Sequence, residues 1–65
     1  MTYLNHQETL LRIREVQQIT GLNRNLIYSL PDFPSPVKIS TRSSAWVASE
    51  VQRWVQARIE QRGSV

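Results

Sequence analysis

The sequence predicts an α+β domain, mostly helical, with three helices and a two-stranded β-hairpin. Three observations carry that prediction. Two short segments of helical periodicity are separated by Gly21-Leu22-Asn23, residue types that end one helix and cap the next. Two β-branched and aromatic segments, Val37-Lys38-Ile39 and Ala45-Trp46-Val47, flank a polar run. A longer apolar stripe of helical spacing then occupies the C-terminal part. At 65 residues there is material for one small core and none for a second domain.

Residues 1–9 are polar and aperiodic and read as a flexible N-terminal arm; residues 10–63 form the domain and 64–65 a C-terminal tail. Leu10-Leu11-Arg12-Ile13 reads as an edge strand leading into a first helix over Arg14–Thr20. There Ile13, Val16 and Ile19 recur three apart, and Gly21 supplies the stop. Asn23 is the N-cap of a second helix, Arg24–Leu30, whose apolar side is Leu26, Ile27 and Leu30. Pro31 ends that helix, since it lacks an amide hydrogen and pushes Leu30 off helical angles. The run 31–36 holds all three prolines and is a loop, with Phe33 as the plug that pins it to the core.

In the hairpin, Val37, Ile39 and Trp46 face inward, Lys38 faces outward and Ser40–Ser44 make the turn. Ser49 and Gln52 have the spacing of a capping box and open the third helix. Val47, Val51, Trp54, Val55 and Ile59 form its stripe, and Gly63 ends it. A hairpin this small cannot stand alone, so Trp46 and Trp54 tie it to that helix. The order is that of a winged helix-turn-helix, with the hairpin as wing.

The composition excludes several function classes. With Cys 0 there are no disulfides, thiolate nucleophiles or Cys zinc sites. His6 is the single histidine, so no metal ligand set can be completed, and no serine has a base beside it. The expectation is a protein with no cofactor and no enzymatic activity. Apolar runs fall far short of the roughly 20 residues of a membrane span, which predicts a soluble, cytoplasmic protein. The net charge is +3, and residues 12–42 carry Arg12, Arg14, Arg24, Lys38 and Arg42 against Glu15 and Asp32. Seven of the eight cations are Arg, whose planar fork matches phosphate and guanine edges; this tilts the expected partner toward nucleic acid.

The residues also carry a family resemblance. Leu11-Arg12-Ile13-Arg14-Glu15-Val16, Thr20-Gly21-Leu22-Asn23-Arg24, Ile27-Tyr28, Phe33-Pro34-Ser35-Pro36-Val37-Lys38-Ile39, Arg42, Ala45-Trp46 and the run from Ser49 to Val55 closely resemble the AlpA-type prophage regulators. These are allied to phage excisionases and, more distantly, to the DNA-binding domain of MerR regulators. The resemblance implies a winged helix-turn-helix that binds specific duplex DNA of a mobile element, as transcriptional regulator, as recombination directionality factor, or both. It departs from the family pattern in a shorter stretch between Ile27-Tyr28 and Phe33-Pro34. Ser40-Thr41 stands where a glycine is common, Gln17 where alanine is frequent, and Leu26 where a polar residue is usual.

On this reading the N-terminal part of the second helix enters the major groove. Arg24 forks onto guanine or grips phosphate; Asn25 pairs with adenine; Ser29 is a further candidate; Asn23 either contacts DNA or serves only as helix cap. Tyr28 aligns with a backbone-contacting position in MerR relatives, the alternative being partial core packing. Arg42 at the wing tip, with Thr41 and Ser43, approaches the minor groove. Lys38 is a phosphate neighbour or a solvated strand charge, and Arg14 sits where a cation does not suit a helix start and serves DNA instead. Arg53, Arg58 and Arg62 read as a solvated face. The chain is expected to be a monomer that binds in several copies side by side on DNA, with integrase or RNA polymerase as protein partners. The alternative is a protein-binding adaptor of the same fold, an anti-repressor or integrase-docking factor, suggested by Leu26 and the shortened loop.

Overall fold

The structure, a computed structural model, describes residues 9–63. Of the expected arm over residues 1–9, residues 1–8, His6 among them, lie outside the described residues, as does the tail; Thr9 is described, and its carbonyl accepts from the Ala48 amide. The chain runs β1 (Leu10–Leu11), α1 (Ile13–Thr20), α2 (Arg24–Ser29), β2 (Val37–Ser40), β3 (Ser43–Val47), α3 (Ala48–Gly63). β1 is an edge strand, as expected. It pairs antiparallel with β3, Leu10 opposite Val47 and Leu11 opposite Trp46, so the hairpin belongs to a three-stranded sheet of order β1-β3-β2. The expected two-stranded hairpin is present as β2–β3, but the sheet has three strands, not two. β1 ends at Leu11, and Ile13, expected in the strand segment, is the first residue of α1.

The helix ends follow local chemistry. At the start of α1 the Arg12 amide donates to Glu15 Oε1 at 2.8 Å, where a carboxylate also suits the positive helix end. Gly21 closes it in the left-handed region (φ 76°), its amide donating to the Gln17 carbonyl at 2.8 Å. Asn23 Oδ1 accepts from the Leu26 amide at 2.9 Å, the expected N-cap of α2. α2 ends at Ser29, one residue short of the expected Leu30, because Leu30 ahead of Pro31 is extended (φ −66°, ψ 125°).

α3 begins without the expected Ser49 capping box. It leaves β3 directly at Ala48, and its first amide donates to the Thr9 carbonyl at 2.8 Å. β1 pairing brings that carbonyl to the helix start, where it satisfies a backbone donor that a side-chain cap would otherwise meet.

The core is Val16, Ile27, Phe33, Trp46 and Val51, with Leu11, Ile13, Leu22, Leu30 and Trp54 around it. Phe33 plugs the proline-rich loop as expected, its ring edge-on to Trp54 at 5.0 Å. Ile19 is exposed although it continues the α1 series. Steps of three drift by about 60° each around a helix, and Thr20, four residues from Val16, stays closer to the buried side. Thr20 is half-buried, and its Oγ1 donates to the Val16 carbonyl at 2.7 Å.

The inward orientation expected for Val37 and Ile39 is not observed: every residue of β2 is exposed. β2 is an edge strand, and α1 and α3 pack on β3 instead. The adjacent Ala45 and Trp46 are both 0% exposed; neighbours on a strand face opposite ways, so β3 is covered on both faces. On α3 the stripe is buried at Val51 and half-buried at Trp54 and Val55, but residues 56–62, Ile59 included, are exposed because the helix outruns the sheet.

Candidate nucleic-acid interface

On α2, the buried Ile27 fixes which way each neighbour faces. At about 100° per residue, Asn25 and Ser29 lie nearly opposite Ile27, with Arg24 and Tyr28 on one flank and Leu26 on the other. All five are exposed. The side chains of Asn25 and Ser29 have no hydrogen-bond partner among the described residues. Asn23 has its side-chain oxygen committed to the cap, which favours the helix-capping role.

The flank bearing Arg24 and Tyr28 is ordered by rings. The Arg24 guanidinium carbon lies 5.7 Å from the centre of the Tyr28 ring. Tyr28 in turn meets the buried Trp46 of β3 edge-on, with ring centres 5.5 Å apart. Tyr28 is thus partly packed, through Trp46, while remaining half exposed. The contact to Trp46, which no sequence spacing announces, joins α2 to the sheet.

The wing turn is tighter than the sequence suggests. Ser40 pairs with Ser43, leaving only Thr41 and Arg42 between the strands, and Ser43 is a half-buried strand residue. Two-residue hairpin loops usually need positive φ, yet no described residue other than Gly21 has it. The register slips between Lys38 and Ser40, a bulge at Ile39 that adds the right-handed twist such a turn does not supply. Lys38 Nζ donates to the Thr41 carbonyl at 3.3 Å, so this cation braces the turn instead of standing free. Arg42 is exposed and its side chain makes no hydrogen bond or ion pair among the described residues; the same holds for the side chain of Arg14 on α1.

Arg58 is the cation the sequence reading misplaced. It donates through Nη2 to Asp32 Oδ2 at 2.8 Å, and its guanidinium lies 4.7 Å from the centre of the Trp54 ring. It therefore latches the proline loop to α3 instead of joining a purely solvated face. The two partners are 26 residues apart, and nothing local in the sequence signals the pairing.

Among the described residues no group of acidic, His or Cys side chains could hold a metal ion. No helix among them is long and apolar enough to cross a membrane. Residues 9–59 match the family described as prophage CP4-57 regulatory protein (AlpA). The chain belongs to the AlpA family of prophage regulatory proteins. It is 41% identical over 56 residues to a protein of Enterobacteria phage P4 described as uncharacterized protein ORF88, an alignment covering 82% of this chain and 64% of that one. The chain thus spans slightly less than two thirds of that relative's length. No solved structure matches. The AlpA match covers both α2 and the β2–β3 turn, so the exposed polar groups described above all lie within the part shared with the family.

Proposed function

We propose that this AlpA-family protein binds specific duplex DNA of a prophage or mobile element, with α2 in the major groove and the β2–β3 turn on the neighbouring backbone or minor groove. The observation that carries the reading is a contrast among its polar side chains. Arg58 is engaged internally, whereas Arg14, Asn25, Ser29 and Arg42 are exposed with no internal partner. Such side chains are not tied up by a hydrogen bond or ion pair within the described residues and are available to phosphate and base edges. The geometry is compatible with one duplex. From Trp46, where α2 meets β3, to Arg42 is four residues, about 13 Å along a strand, which is less than half a helical turn of DNA.

The role is that of a transcriptional regulator, an excisionase-type directionality factor, or both, according to where the site lies. A single small module reads few base pairs, so several monomers on adjacent sites supply the specificity. Gel-shift titration against DNA upstream of the protein's own gene and of the nearest integrase gene tests this. A sequence-dependent shift is expected; no shift with any duplex overturns it.

A second reading has its own observation: Leu26 and Ile19 are exposed at 40% and 44%. These favour a protein-binding adaptor, with integrase or RNA polymerase as partner. Pull-down of such a partner, lost in Leu26→Ala while duplex binding is absent in the wild type, would select it.

A further inference from the structure

We propose that Tyr28 is a positioning residue that holds Arg24 for DNA, and that its ring, not its hydroxyl, does this. The inference rests on the DNA-binding reading above. Arg24 and Tyr28 stand four apart on α2, and helical side chains lean toward the N-terminus, which brings the Tyr28 ring over the turn that carries Arg24. The separation of 5.7 Å is within cation–π range. A tyrosine on the surface of a six-residue helix would be a mobile support by itself. Here the far side of the contact is Trp46, fully buried at the centre of the sheet and edge-on to Tyr28 at 5.5 Å. The chain Trp46–Tyr28–Arg24 thus carries the rigidity of the core to a guanidinium at the first turn of α2.

An arginine so restrained loses less rotamer freedom when it meets a guanine edge or phosphate, and its planar fork is already oriented. Tyr28 then gains importance through Arg24, without contacting DNA itself. The same chain sets the angle between α2 and the wing, since Trp46 belongs to the strand that begins at the turn.

The test uses the full chain and a duplex carrying a site that the protein selects from a random pool, with affinities read by fluorescence anisotropy. Tyr28→Phe keeps both ring contacts and should bind as the wild type does. Arg24→Ala and Tyr28→Ala should each lose about tenfold, and Arg24→Ala/Tyr28→Ala should be no weaker than Arg24→Ala. Tyr28→Ala should also flatten the salt dependence, as Arg24→Ala does. Loss of affinity in Tyr28→Phe would assign the hydroxyl to the DNA, and additive losses in the double variant would make Tyr28 act independently of Arg24; either overturns the proposal. Unchanged affinity in a folded Tyr28→Ala would reduce Tyr28 to a packing role and overturn it too. Should Tyr28→Ala not fold, as judged by circular dichroism, Tyr28→Phe alone decides. A wild type that selects no site removes the DNA-binding reading itself, an outcome distinct from selection followed by a failed Tyr28 series.

Discussion

Arg42 and Asn25 are both exposed and unpartnered, yet they differ in what they can recognise. A guanidinium at a hairpin tip meets phosphate or the minor groove and is largely indifferent to base identity. A carboxamide on the outer face of α2 can pair with adenine N6 and N7. Arg42→Ala should therefore weaken binding across all duplexes, whereas Asn25→Ala should lose discrimination of about 1 to 3 kcal/mol at one or two positions. Competition titrations against single-base variants of the site separate the two; identical profiles would refute the division between wing and recognition helix. Asn23 and Gly21 belong to a different class, since their effect is on folding. Asn23→Ala should cost about 1 kcal/mol through the lost cap. A Cβ at Gly21 would meet nothing within 4 Å, so Gly21→Ala should cost about 1 to 2 kcal/mol, from the positive φ alone. Thermal melts of both variants measure this, and a Gly21→Ala variant as stable as the wild type would contradict the left-handed cap.

At the scale of elements, β1 joins the first described residues to β3 and the start of α3, and α3 is tied to the proline loop. The loop is pinned by Phe33 inside and by Arg58 outside. These contacts are unequal in energy. Phe33→Ala removes a buried ring and should cost about 3 to 5 kcal/mol, close to the whole stability of so small a domain. Arg58 and Asp32 are 43% and 58% exposed, and solvent screens their ion pair. With the Trp54 contact added, Arg58→Ala should cost only about 1 kcal/mol. Chemical denaturation of both variants checks the ranking, and equal losses would reverse it. Element types and caps at α1 and α2 were legible in the sequence because a stop glycine and a capping asparagine act over a few residues. The Ser49 cap failed for the opposite reason: the Thr9 carbonyl that replaces it arrives from β1, nearly 40 residues earlier.

For the whole molecule, the surplus charge between residues 12 and 42 coincides with α1, α2 and the wing, while α3 is nearly balanced. If Arg12, Arg14, Arg24, Lys38 and Arg42 each neutralise a phosphate, log K should fall against log salt with a slope of about −4 to −5. Affinity that does not change between low and moderate salt would remove the electrostatic part of the proposal.

The sequence by itself determined the number and order of the helices, the turn between the first two, the hairpin, the plug at Phe33 and the family. Each depends on periodicity or on a residue type whose effect is local. Only the tertiary structure decided that β1 completes a three-stranded sheet, that β2 lies uncovered at its edge, that Arg58 serves the fold, and that Tyr28 leans on Trp46. Those facts depend on which surfaces meet across many residues of chain, and a side chain's pattern states its preference for burial without naming the neighbour that will bury it.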